Sequence, residues 1–124
     1  MLPPRCPRPL AEVSAGHQAS FRRFCRHIER NLGDNELTPA RVAAAHGVSL
    51  RYLHAVFAEQ GVSVGQWMRR QRLSHCHREL SQTGRRGTIT EIAFRWGFND
   101  MAHFSRAFKA HYGRSPREVG GRAG

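Results

Sequence analysis

The chain carries the same helix–glycine–helix unit twice. The segments "VAAAHGVSLRYLHAVFAEQG" (residues 42–61) and "IAFRWGFNDMAHFSRAFKAHYG" (residues 92–113) run in parallel. Ala43, Gly47, Ser49, Leu53, Phe57 and Gly61 have counterparts in Ala93, Gly97, Asp100, Phe104, Phe108 and Gly113, and Ser63 is echoed by Ser115. The offset is about fifty residues, with single-residue insertions in the turns. A repeat of this kind marks a duplicated supersecondary unit. Each copy also explains an oddity: amphipathic helix on both sides of Gly97 and Asp100, residues that should break it. Gly97 can take a left-handed backbone and reverse the chain, and Asp100 can cap the helix that follows. Short helix, glycine turn, second helix is the helix-turn-helix arrangement.

The rest of the chain reads as helix around these two copies. Phe21, Phe24, Ile28 and Leu32 form one helical stripe from Ala19 onward, and Gly33 is expected to stop that helix. Thr38 and Pro39 suit an N-cap and first helical position, for a short helix ending at Gly47. Ser49 caps the next, with Leu53, Val56 and Phe57 inward, and Gly61 ends it. A long helix over residues 64–82 follows, with Ser63 as its cap. Thr88 and Glu91 form a capping box for the fifth helix, Asp100 opens the sixth, Gly113 closes it, and Ser115-Pro116 open a last turn. No segment alternates with period two, so the expected fold class is all-α. The expected organisation is a disordered leader over 1–18, a first helix-turn-helix subdomain over 19–62, a linker helix over 63–82 and a second subdomain with a short basic tail over 83–124.

The linker helix has two apolar patches. Val64, Trp67 and Met68 lie at its start and Leu73, Cys76 and Leu80 at its end, and the step from Met68 to Leu73 turns the helix by about 140°. Such a helix suits two separate small cores. Between the patches lies "RRQR" (residues 69–72). At roughly 28 Å long the helix is compatible with the roughly 34 Å between adjacent major-groove segments on one face of DNA.

Charge narrows the partner. Twenty basic residues against nine acidic ones give a formal net charge of +11, which favours a polyanion, most often nucleic acid. Cys6, Cys25 and Cys76 are odd in number and have neither metal-ligand nor disulfide spacing, which favours a reducing cytosolic setting. No apolar run is long enough to span a membrane, and the first residues lack a signal core. His75 and His77 invite a metal reading, but on a helix they project about 200° apart; no metal and no cofactor is expected. No nucleophile or carboxylate constellation accompanies His54 or His103, so an enzyme is not expected either. An RNA-binding protein is the competing binding module, against which stands the lack of an aromatic platform or GXXG loop.

If the third and sixth helices are recognition helices, their inward residues are excluded from readout. That leaves Arg51, Tyr52, His54 and Ala55 in the first unit and Met101, Ala102, Ser105 and Arg106 in the second as candidates for base contacts. Arg51 and Arg106 can bond bidentately to guanine, while Ala55 and Ala102 offer only apolar contact. Phosphate contacts are expected from Thr38 and Thr88, at the starts of the second and fifth helices, from Arg69 and Arg70, and from Lys109.

The stretch "ITEIAFRWGFNDMAHFSRAFKAHYGRSPREV" (residues 89–119), with "GVSLRYLHAVFAEQGVS" and "RRQRLSHCHREL", resembles the DNA-binding domain of the AraC/XylS family of bacterial transcription regulators. Cys76 and Glu79 depart from the alanine and leucine usual there. The resemblance implies seven helices, two helix-turn-helix subdomains and a connecting helix. It also implies cytoplasmic binding of double-stranded promoter DNA, usually in activation, with RNA polymerase as a protein partner. Arg51, His54, Ala55, Met101, Ala102, Ser105 and Arg106 fall at family base-contact positions. Many members carry a separate sensor domain before this one; none is expected in this chain. It should therefore bind DNA as a monomer, dimerisation falling to the absent sensor, and effector binding is not carried over.

Overall fold

The computed structural model describes residues 15–85 and 87–121. Seven helices follow one another: α1 (Ala15–Arg30), α2 (Pro39–Ala45), α3 (Leu50–Ala58), α4 (Val64–Ser81), α5 (Ile89–Arg95), α6 (Met101–Tyr112) and α7 (Pro116–Gly120). No strand occurs among the described residues, so the all-α expectation holds.

Short polar side chains set the helix starts. Thr38 Oγ1 accepts from the Arg41 amide with Pro39 in the first turn, Ser49 Oγ from the Tyr52 amide, and Asp100 Oδ1 from the His103 amide. Thr88 with Glu91 and Ser115 with Glu118 make reciprocal capping boxes. The start of α4 uses the same device with glutamine: Ser63 Oγ accepts from the Gln66 amide at 3.1 Å, and Gln66 Oε1 accepts from the Ser63 amide at 3.2 Å. Each cap contributes about 1 kcal/mol by satisfying amides that the helix itself leaves orphaned.

The chain divides into two compact units. The first holds Leu37–Arg69 and the described residues up to Asn31; the second holds Leu32–Glu36 and the residues from Arg70 onward. The expected linker helix is thus shared, α4 giving its start to one unit and its end to the other. In the first unit Phe24 and Ile28 of α1, Val42 of α2, Leu53, Val56 and Phe57 of α3, and Val64 and Met68 of α4 are buried together. In the second, Leu73, Cys76 and Leu80 of α4 pack with Ile92, Ala93, Phe98, Phe104 and Phe108. The two apolar patches of α4 are the contributions of one helix to two cores.

Two expectations change. Helix α1 starts at Ala15, inside the segment read as a leader, because its first turn has partners: His17 Nδ1 lies 2.7 Å from Glu59 Oε2, and its ring meets Tyr52 edge-on at 5.3 Å. The part of that leader over residues 1–14 lies outside the described residues. Gly33 does not stop α1 by a left-handed turn: α1 ends at Arg30, and Gly33 is absent from the positive-φ glycines. Its glycine is needed for a close approach, since a Cβ would sit 2.9 Å from the Arg95 carbonyl oxygen. Within "RRQR", Arg72 is structural. It donates from Nε to the Leu32 carbonyl at 3.1 Å and from Nη2 to the Asp34 carbonyl at 2.8 Å, fixing the 32–36 loop to α4.

The unusual Glu79 also has a structural task. Its carboxylate accepts from Trp96 Nε1 at 2.7 Å and pairs with the Arg95 guanidinium, so it holds the end of α5 onto α4. His75 stacks on the same Trp96 at 4.1 Å, while His77 stacks on Tyr112 at 4.3 Å. The two histidines therefore serve different ring stacks. Between them Cys76 is buried, and burial pushes its thiol up to about 12. In the first unit the counterpart of Trp96 is His46, whose Nε2 finds no hydrogen-bond partner among the described residues; desolvation, then His27, Arg23 and Arg30 nearby, lower its pKa from the ordinary histidine value.

Candidate nucleic-acid interface

Each unit pairs a short helix with a following helix through a glycine turn. Gly47 has φ 66° and Gly97 has φ 96°; the next helices, α3 and α6, each present one face inward and one outward. The inward faces are Leu53, Val56 and Phe57 on α3, and Phe104 and Phe108 on α6. The outward faces fall in the same register. On α3 Arg51, His54, Ala55 and Ala58 are exposed, and on α6 Ala102, Ser105, Arg106 and Lys109 are exposed. Both sets are spaced i, i+3, i+4, i+7, one stripe of an α-helix.

Most of the expected base-contact residues share these stripes. Arg51, His54 and Ala55 lie together on α3, and Ala102, Ser105 and Arg106 together on α6. Two do not. Tyr52 turns toward α1: its hydroxyl is 3.0 Å from Ser20 Oγ, and its ring is edge-on to Phe24 at 6.4 Å. Its position is four residues before the buried Val56, hence on that flank of the helix, and an amphipathic ring hides its inward use from composition. Met101 is only partly exposed and packs against the core of its unit. Both are withdrawn from the readout face.

The expected phosphate contacts divide by unit. Thr38 and Arg69 are exposed in the first, and Arg70, Thr88 and Lys109 in the second. The start of α5 is less open to an anion than the pattern implies, because the Thr88 amide already donates to Glu91 Oε1 at 2.8 Å. Asp100 adds a second carboxylate at the start of α6. The corresponding places in the first unit carry Arg41 and the neutral Ser49. Opposed to this, α6 has Lys109 where α3 has Ala58. The two units therefore match in the positions of their inner apolar residues and differ in the charge of their outer ones.

Two glycine-turn helix pairs, each with an exposed polar stripe on its second helix and a buried face beneath, define a double helix-turn-helix module. Residues 42–122 match the family described as "Helix-turn-helix domain", and the chain belongs to it, as an AraC-type DNA-binding domain. It is 37% identical over 94 residues to the transcriptional activator NphR of Rhodococcus sp, covering 76% of this chain and 28% of that protein. To the arabinose operon regulatory protein of Escherichia coli (strain K12) it is 38% identical over 98 residues, 78% of this chain and 33% of that one. The solved AraC-type transcriptional regulator from Chromobacterium violaceum superposes with a TM-score of 0.75 at 27% identity, over 90% of this chain and 100% of that one. The chain spans about a third of the length of the curated relatives it matches. No helix among the described residues is long and apolar enough to cross a membrane.

Proposed function

We propose that this chain regulates transcription by sequence-specific binding of double-stranded promoter DNA in the bacterial cytoplasm. The outer stripes of α3 and α6 enter adjacent segments of the major groove. The observation that carries this reading is the repeated stripe: the same i, i+3, i+4, i+7 positions are exposed on both helices, over matched buried residues. A recognition helix reads bases with its N-terminal residues, where Arg51, His54 and Ala55 stand in one unit and Ala102, Ser105 and Arg106 in the other. Arg51 and Arg106 carry guanidinium forks that match the two acceptors of guanine. Arg69, Arg70, Lys109 and the hydroxyls of Thr38 and Thr88 hold phosphates and fix the register. The names of the relatives favour activation; RNA polymerase is the protein partner this reading proposes.

Readout and positioning separate by mutation. On a preferred duplex, Arg106→Ala is expected to cost about 1–3 kcal/mol and to relax preference at one or two base pairs. Lys109→Ala is expected to weaken all sequences alike and to make the salt slope shallower by about 1. Equilibrium titration of preferred and scrambled duplexes checks both. An unchanged preference in Arg106→Ala would assign Arg106 to phosphate.

A further inference from the structure

Helix α1 takes part in none of the DNA contacts proposed for α3, α4, α5 and α6, yet it carries four arginines, Arg22, Arg23, Arg26 and Arg30. Its inner face is settled by contacts within its own unit: Ser20 meets Tyr52, Phe21 and Phe24 meet Phe57, and Phe24 and Ile28 are fully buried. At 100° per residue, Arg22 and Arg26 stand about 160° from Phe24, on the opposite side of the helix, and Arg30 continues the row one turn further. All three are exposed, as is Arg23 on the flank, and Glu29 is the acidic residue on that side.

This row faces away from α3. The inner face of α3 is the one that α1 covers, so the stripe of Arg51, His54 and Ala55 and the stripe of Arg22, Arg26 and Arg30 look out on opposite sides of the unit. Two packed helices with their side chains separate those surfaces by roughly 20 Å. A duplex lying against α3 is out of reach of arginines on the far side. Like charges at i, i+4 also oppose helix formation, so the row has a cost in the free chain that an anionic partner would relieve.

We propose that the Arg22–Arg26–Arg30 row of α1 is a second polyanion-binding surface that takes a separate segment of duplex DNA, so that one chain can hold two duplexes. The inference goes beyond the proposed readout and uses none of its residues. Three observations favour DNA over a protein. The row repeats every four residues, a rise of about 6 Å per arginine, which suits a linear array of charges. It is made of guanidinium groups, which pair with phosphate by two parallel hydrogen bonds. It also lacks an apolar anchor: among the described residues the exposed large hydrophobic ones are Leu50 and Phe94, neither of them on α1, whereas protein interfaces centre on buried aromatic or aliphatic residues.

The test uses the full chain bound to an immobilised preferred duplex of about two helical turns, washed, then offered a second, fluorescent duplex of random sequence. The wild type is expected to capture the second duplex, and raising salt to release it. Arg22→Gln/Arg26→Gln/Arg30→Gln is expected to keep its affinity for the immobilised duplex while its capture of the second falls, with a salt slope shallower by about 0.9 for each phosphate no longer neutralised. The corresponding triple lysine variant should retain capture. Glutamine and lysine are both good helix formers at exposed positions, and binding of the immobilised duplex itself reports that the fold is intact. The proposal is overturned if the wild type captures no second duplex, or if the glutamine variant captures it equally well. It is also overturned if that variant loses the first duplex in parallel, which would place the row in a single interface. Binding of anionic lipid vesicles in the absence of second-duplex capture would overturn it in favour of a membrane surface.

Discussion

Replacing Gly97 with alanine is expected to destabilise the second unit strongly, while the same change at Gly47 should cost the first unit much less. The two glycines occupy the same place in the repeat and both have positive φ, 96° and 66°. Their surroundings differ. At Gly47 a Cβ meets nothing within 4 Å, so the change costs only the left-handed backbone, about 1–2 kcal/mol. At Gly97 a Cβ would lie 2.5 Å from the Leu32 carbonyl oxygen and 2.8 Å from Arg72 Nε. The carbonyl is backbone, and Arg72 is itself bonded to the 32–36 loop, so neither can step aside without breaking the hydrogen bonds that seat this loop on α4. Strain and collision together should cost roughly 3–5 kcal/mol, a large fraction of the roughly 5–15 kcal/mol typical of a small protein. Trp67 belongs to the first unit and Trp96 to the second. Urea titrations followed through Trp96 in a Trp67→Phe background, and through Trp67 in a Trp96→Phe background, read the two units one at a time. Equal losses from Gly47→Ala and Gly97→Ala would show that the crowding at Gly97 is unimportant.

The second large effect is that of salt on DNA affinity. The net charge is +11, and the proposed phosphate contacts lie in both units. A chain neutralising about six to eight phosphates loses roughly 10³–10⁴ in affinity between about 50 and 200 mM salt, because each phosphate adds about 0.9 to the log–log slope. Fluorescence anisotropy across that range gives the slope directly. A slope near zero would remove the duplex backbone as the counterpart of this charge.

Much of the local structure was legible because it is governed by short-range chemistry. Thr38, Ser49, Thr88, Asp100 and Ser115 announce helix starts, since each places an oxygen where the first amides need one, and the repeat fixes which face of α3 and α6 is inward. What escaped depends on partners distant in sequence. Gly33 reads as a helix stop until the Arg95 carbonyl is found against it. Tyr52 passes for a readout residue because a phenol suits either side, although its spacing of four from Val56 was the available signal. Arg72 hides in a basic run, although it stands four residues before the buried Cys76. Glu79 looks like a fault in an apolar row until Trp96 and Arg95 are seen to use its two oxygens. In each case the sequence shows the residue type, and the partner lies elsewhere in the chain.

The repeat bears most directly on how one chain reads DNA. The inner residues of α3 and α6 correspond, whereas Arg51 faces Ala102, His54 faces Ser105 and Ala55 faces Arg106 in the alignment. Two unlike surfaces call for two unlike half-sites read by a single chain, whereas a helix-turn-helix homodimer requires a palindrome to match its two-fold axis. The decisive measurement is selection of bound sites from random duplex DNA, combined with the mass of the protein–DNA complex. The expected result is a motif of two different blocks in fixed order, a single chain on each selected site, with Arg51→Ala erasing information in one block and Arg106→Ala in the other. A palindromic motif carrying two chains, or both variants degrading the same block, would contradict it.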